Sequence, residues 1–296
     1  MIEIARRLWR PVAAAIVLLF VTVYLVRNWD QFSSAATMMS PAAMVSAVAF
    51  GVLYWLSLAA AWWRVQAGLG GGLAFWPAVR VWSISTVARY VPGNIWHLAG
   101  RTALARDAGG DGLATLTASI YEQVLTLGGA FIAAGVLLPL AGAGREYLLA
   151  VVALPVGLLT LHPVVQRWIV HRAARALGRM PPQVLEPKRL AALLGLYVLP
   201  NLPAGLALVA LGGPAGPTPV GAVGGFAFAW AVGFLSIVTP SGLGVREAVL
   251  AGLLTAGLGG ADPLALAIGH RLALTAAEIV VAGGAVAGRR LAARVL

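Results

Sequence analysis

The chain has no cysteine, a single lysine (Lys188), and charged side chains at only 10% of its 296 positions. Without cysteine there is no disulfide, no thiolate nucleophile and no cysteine metal site. The charged fraction is far below the roughly 25% of ordinary soluble domains, whereas 60% of the residues are apolar. Several apolar runs exceed the roughly 18 residues that separate a spanning helix from a core helix. The expected fold is therefore all-α, a polytopic integral membrane protein forming a single transmembrane domain over residues 1–296. The net charge of +11 is carried almost entirely by arginine. Most of it lies in short loops beside apolar runs, which is the positive-inside pattern. No basic soluble domain exists to bind nucleic acid, so that partner class is excluded.

Hydropathy and Pro/Gly punctuation predict six transmembrane helices at 11–27, 41–66, 112–140, 146–163, 189–211 and 263–287, and two broken apolar segments at 75–106 and 220–258. Arg6, Arg7 and Arg10 ahead of the first run give it the outline of a signal peptide. The run is long for one and no small-x-small cleavage site follows, so it reads as a spanning helix. Residues 164–180 alternate Val165, Trp168, Ile169, Ala176 and Leu177 with Arg167, His171, Arg172, Arg175 and Arg179. Such a basic amphipathic helix is expected to lie at the membrane surface.

The two breaks carry the functional signal. The first reads Arg89-Tyr90-Val91-Pro92-Gly93-Asn94, the second Pro240-Ser241-Gly242-Leu243-Gly244-Val245-Arg246-Glu247. Pro92 and Pro240 stand 148 residues apart, half of the 296-residue chain. Interrupted hydrophobic segments at matching places in two halves point to a transporter binding site. If each break is a re-entrant hairpin, each half crosses the membrane three times, and the pseudo-repeats 1–143 and 144–296 form an inverted repeat. With both termini cytoplasmic, Arg27 and Arg145 are the only arginines in outside loops, as the positive-inside rule expects.

Arg89, Glu122, Arg246, Glu247, Arg271 and Glu278 fall inside predicted membrane segments. A charge at the centre of an inserting helix costs about 2.5–3.5 kcal/mol, so these groups are expected to face one another or a wet cavity. Arg271 and Glu278 are seven residues apart on one helix, too far for a pair between them, so each needs a partner elsewhere. Glu247 directly follows Arg246, so the two diverge by about 100° and should have different partners. Pro92-Gly93 and Pro240–Gly242 free backbone groups at helix ends, and Asn94 and Ser241 are suited to capping them. With the neighbouring arginines this is a site for an anionic headgroup. The competing reading is a set of buried structural ion pairs. His97 and His270 stand at no ligand spacing and read as packing residues, so no metal is expected. Gly128-Gly129 and Gly283-Gly284 read as close-packing surfaces.

The series Arg89-Tyr90-Val91-Pro92-Gly93, Arg101, Glu122 and Pro240 to Glu247 resembles the flippase-like transmembrane region of lysylphosphatidylglycerol synthases, over nearly the whole chain. Related stand-alone proteins are associated with lipid-linked glycoconjugates. The chain departs from that pattern at Asn94, Ser241 and Gln123, where lysine, glycine and arginine are frequent. It carries no counterpart of the soluble aminoacyl-transferase domain, so the resemblance implies lipid translocation and not aminoacyl-lipid synthesis. With no nucleotide loop or metal cluster, neither an enzyme nor a cofactor is expected. The expected function is a flippase-like transporter in the inner (cytoplasmic) membrane. Its partners are membrane lipids with an anionic headgroup: a polyprenyl phosphate, a lipid-linked sugar or a modified phospholipid. Alternatives are a proton-coupled solute or ion transporter and a non-catalytic scaffold for an envelope-biosynthesis enzyme.

Overall fold

The structure, a computed structural model, describes residues 39–90, 96–142, 162–176, 185–236, 244–259 and 262–295, with isolated positions within 152–159 and at Gly242. The expected helix at 11–27, nearly all of that at 146–163, and the tip residues Pro92, Gly93, Asn94, Pro240 and Ser241 lie outside these residues. In chain order the helices are α1 (Pro41–Gly68), α2 (Phe75–Thr86), α3 (Trp96–Asp107), α4 (Gly112–Leu140), α5 (Pro163–Ala176), α6 (Pro187–Val198), α7 (Asn201–Gly212), α8 (Pro219–Leu235), α9 (Val245–Leu253) and α10 (Pro263–Val295). Among the described residues there is no strand. Backbone polar groups are thus met within helices, as a bilayer requires.

Four helical stretches are long and apolar enough to cross a membrane: α1, α4, the α6–α7 stretch Pro187–Ala215, and α10 over Pro263–Gly288. They make this a membrane-embedded protein. Local chemistry sets their ends. Ser40 Oγ accepts from the Ala43 N–H at 3.2 Å, and Asp111 Oδ1 accepts from the Ala114 N–H at 2.6 Å. Each satisfies a donor that the first turn leaves without an intrahelical partner. The helix expected at 189–211 is divided at Leu199-Pro200, because proline has no N–H and its ring obstructs the preceding turn. Asn201 Nδ2 donates to the Val198 carbonyl at 3.0 Å and meets one group freed there. α10 runs past the expected end at 287 into the basic tail, for 33 residues.

The core is built on α1, which packs against α7 and α10, while α8 packs against α4 and α7. Small residues bring the backbones together. A Cβ on Gly205 would sit 2.5 Å from Val223 Cα, and one on Gly129 would sit 2.6 Å from the Tyr197 carbonyl oxygen. This close approach is how apolar helices gain packing energy where lipid supplies no hydrophobic drive. Gly283-Gly284 behaves otherwise: both residues are exposed, with open space beside them, so the expected close-packing role there is corrected. Of the stretch expected as a surface helix at 164–180, residues up to 176 are helical as α5 and 177–180 lie outside the described residues; Arg167, Trp168, His171, Arg172 and Arg175 are exposed, and the Arg172 guanidinium is 5.5 Å from the Trp168 ring centre.

Both broken segments return to where they start. In the first, α2 and α3 are 12 residues each, about 18 Å, too short to cross a hydrocarbon core of about 30 Å. The two arms pack against one another. At their open end the Asp111 N–H donates to the Gly71 carbonyl at 2.9 Å, so the chain leaves beside the point at which it entered. In the second, α8 packs against α9, and a Cβ on Gly225 would meet Leu258 Cδ1 at 2.8 Å. Gly259 lies against Gly216 at the open end, a Cβ there falling 3.4 Å from the Gly216 carbonyl oxygen.

The two segments open toward opposite ends of the bundle. Gly269 lies against Met39, Trp55 Nε1 donates to the Leu274 carbonyl at 2.8 Å, and Gly51 lies against Leu274 and Ala277. From the Met39–Gly269 contact to those of Gly51 and Trp55 with Leu274 and Ala277 both chains advance, so α1 and α10 run parallel. The first segment opens beside the C-terminal end of α1, through Gly71. The second opens at residues 258–259, just ahead of the N-terminus of α10, and therefore beside the N-terminal end of α1.

Candidate functional site

Halfway along α1 stand Tyr54 and Trp55, their rings edge to face at 4.8 Å. The Arg89 guanidinium, just past α2, lies 4.4 Å from the Trp55 ring centre. Its Nη2 donates to Glu278 Oε2 on α10 at 2.5 Å. The first broken segment is thus tied to the last helix at mid-bundle. Tyr54 also meets the Phe226 ring of α8 at 5.7 Å, and Arg246 of α9 lies 4.8 Å from the same ring. On the next residue of α9, which points away from Arg246, Glu247 Oε1 is 3.3 Å from Nη1 of Arg271 on α10. Arg271 and Glu278 each find a partner on another element, and Arg246 and Glu247 diverge.

The tip of the second segment is held by backbone chemistry. Glu247 Oε2 accepts from the Gly244 N–H at 2.7 Å, closing the first turn of α9 on its own third residue. Gly242 and Gly244 have φ of 67° and 84°, a region costly for other residues. At Gly242 a Cβ would also fall 2.6 Å from the Gly233 carbonyl oxygen of α8. Gly233 in turn leaves room for Arg246, whose Cβ would be 2.9 Å from a Cβ there. The turn therefore places Arg246 against the inner face of α8.

Among the described residues these groups do not balance. Arg89, Arg246 and Arg271 face Glu247 and Glu278, three cations against two anions. Among the described residues Arg246 makes no ion pair, although Arg271, Arg89, Tyr54 and Glu247 are within electrostatic reach. Arg246 Nη2 and Arg271 Nη2 are buried without a hydrogen-bond acceptor. A buried guanidinium donor left unmet costs free energy that an oxyanion would restore.

Arg101 and Glu122 form a second, separate layer. They lie at the level of Trp62, seven residues and about 10 Å further along α1, toward the open end of the first segment. Here every guanidinium nitrogen is met. Arg101 Nη1 bonds Glu122 Oε2 and, at 3.3 Å, Ser119 Oγ. Nε donates to Ser85 Oγ at 2.9 Å and Nη2 to Thr86 Oγ1 at 3.2 Å. Trp82 Nε1 donates to Glu122 Oε1 at 2.5 Å. This neutral network locks α3 to α2 and α4 and leaves no guanidinium nitrogen without an acceptor. The structure thus does not bring Arg101 and Glu122 together with the mid-bundle cluster, although Trp82 and Trp55 link the layers at 6.0 Å.

No known family model matches the chain, and no curated protein matches it.

Tyr54, Trp55, Trp82 and Phe226 are site neighbours that sequence reasoning missed. An aromatic residue in an apolar helix looks the same whether it packs on lipid, on a helix or under an arginine. His270 holds to packing: its Nε2 lies 2.8 Å from the Ala204 carbonyl.

Proposed function

We propose that this chain is a flippase-like lipid transporter that carries an anionic headgroup between leaflets through the mid-bundle cluster. The observation that carries the reading is Arg246, a guanidinium inside the bundle with no ion-pair partner among the described residues, set on the short arm that follows a glycine turn. A structural ion-pair set would balance its charges, as Arg101 and Glu122 do. The excess cation gives a headgroup phosphate a reason to leave water.

On this reading the two broken segments are re-entrant hairpins entering from opposite membrane faces. The chain then has six spans in an inverted repeat, with the tips near mid-bilayer. Three features support it: helices too short to span in the first segment, open ends that meet, and openings at opposite ends of parallel α1 and α10. The flippase-like resemblance of the tip motifs supports it as well.

Two measurements test it. Proteoliposomes should exchange fluorescent acyl-labelled phosphatidylglycerol, or a labelled prenyl phosphosugar, between leaflets faster than protein-free vesicles, read by dithionite quenching. No acceleration of either lipid would sink the transport reading. For topology, single cysteines at Trp76→Cys and Asp107→Cys should react with an impermeant maleimide from the same membrane face. Labelling from opposite faces would mean that the first segment crosses the bilayer.

A further inference from the structure

We infer that the headgroup carried is a phosphodiester with one negative charge, and not a phosphate monoester or a pyrophosphate with two. The inference rests on the translocation reading above and narrows its substrate class.

The argument starts from charge. Among the described residues the cluster holds Arg89, Arg246 and Arg271 against Glu247 and Glu278, a net charge of +1. The tip residues 91–95 and 237–241 contain no charged side chain, so they leave that sum unchanged. His97 and His270 count as neutral at a pH of about 8. Tyr54, Trp55 and Phe226 wall the cluster with rings, and a low-dielectric wall makes each unmatched charge costly. One negative charge brings the occupied cluster to neutrality. A second would leave a buried anion without a partner.

Hydrogen bonding agrees with the charge. The buried donors that lack an acceptor among the three arginines include one nitrogen on Arg246 and one on Arg271. A phosphodiester has two non-bridging oxygens, one for each guanidinium. A monoester or a pyrophosphate brings a second negative charge, for which the described cluster has no cation left over. Among lipids the diester class includes glycerophospholipids and prenyl phosphosugars; free prenyl phosphates and pyrophosphate-linked carriers fall outside it.

The test is a binding comparison on detergent-purified full-length protein at a pH of about 8, where a phosphate monoester carries its second charge. The probes are dihexanoyl phosphatidylglycerol, citronellyl phosphoryl-glucose and dihexanoyl phosphatidic acid. At least one diester should bind roughly tenfold or more tighter than phosphatidic acid. Which diester binds tighter distinguishes the glycerolipid source from the prenyl source. Glu247→Gln keeps an acceptor for the Gly244 N–H but raises the cluster to +2, so it should erase or reverse the preference. If that variant does not fold, Glu278→Gln makes the same charge change on α10.

Phosphatidic acid binding as tightly as both diesters would overturn the inference, as would a preference untouched by the glutamine variants. Arg246→Ala separates the two levels. If it weakens diester binding while wild type favours the dianion, only the charge assignment falls. If it leaves binding unchanged, or if no probe binds, the site itself is misassigned and the inference falls with it.

Discussion

Replacing Arg246 by alanine should abolish lipid translocation while leaving a folded protein of equal or greater stability. The two effects have one cause. Arg246 sits over Phe226 without an ion pair among the described residues, and its Nη2 is buried with no acceptor. A hydrogen bond to a charged group is worth about 1.5–3 kcal/mol, so losing one such bond to a transported oxyanion slows translocation by roughly tenfold to 150-fold, and losing two by up to roughly 10,000-fold. In the unliganded protein the same side chain is a burden, since a buried charge without compensation is destabilising. Dithionite-quench rates in proteoliposomes and melting temperature in detergent read the two effects separately. Unchanged translocation, or a large drop in melting temperature with it, would show that Arg246 is structural. The charge-preserving Arg246→Lys should recover only part of the rate, because a point charge cannot replace a planar fork.

Arg101→Ala should do the opposite and destabilise the protein by about 3–5 kcal/mol, the cost of leaving one member of a buried pair alone. Arg101 is 1% exposed, so water cannot take its place beside Glu122. Ser85, Thr86 and Ser119 would lose the donor that joins three helices. Replacing both charges, Arg101→Met with Glu122→Gln, should recover most of the loss because no ion is then stranded. Thermal unfolding of the two single variants and the double variant checks this. Additive losses in the double variant would show that the two side chains act independently.

The contrast between these layers was only half legible in the sequence. The charged residues inside apolar segments announced themselves, and the seven-residue spacing of Arg271 and Glu278 required partners on other elements. It could not say that the partners would be Glu247 and Arg89, because those pairings arise only when the broken segments double back. Nor did anything mark Arg101 and Glu122 as a closed network apart from Arg246, since the serine, threonine and tryptophan groups that saturate it are common in any helix. The bounds 112–140 of α4 matched to the residue, where Asp111 caps one end and Gly142 follows the other. The apolar run 189–211 hid the turn at Pro200, as continuous hydropathy says nothing about a missing N–H. Gly283-Gly284 was misread for a related reason. In a chain apolar on all faces, periodicity does not tell the buried face from the lipid face. That the outer ends of each broken segment meet rests on the Asp111–Gly71 bond and the Gly259–Gly216 contact, which no spacing rule predicts.

The length and continuity of α10 bear on how the cluster can change. Arg271 and Glu278 are fixed to one continuous rod, two turns apart on the same side. A rigid rotation or slide of that rod cannot separate Arg271 from Glu247 while keeping Glu278 on Arg89. The two pairs therefore act as a ganged latch, and the same rod extends to the arginine-rich end of the chain, about 50 Å from its start. A force applied at that distant end is felt by both broken segments at once.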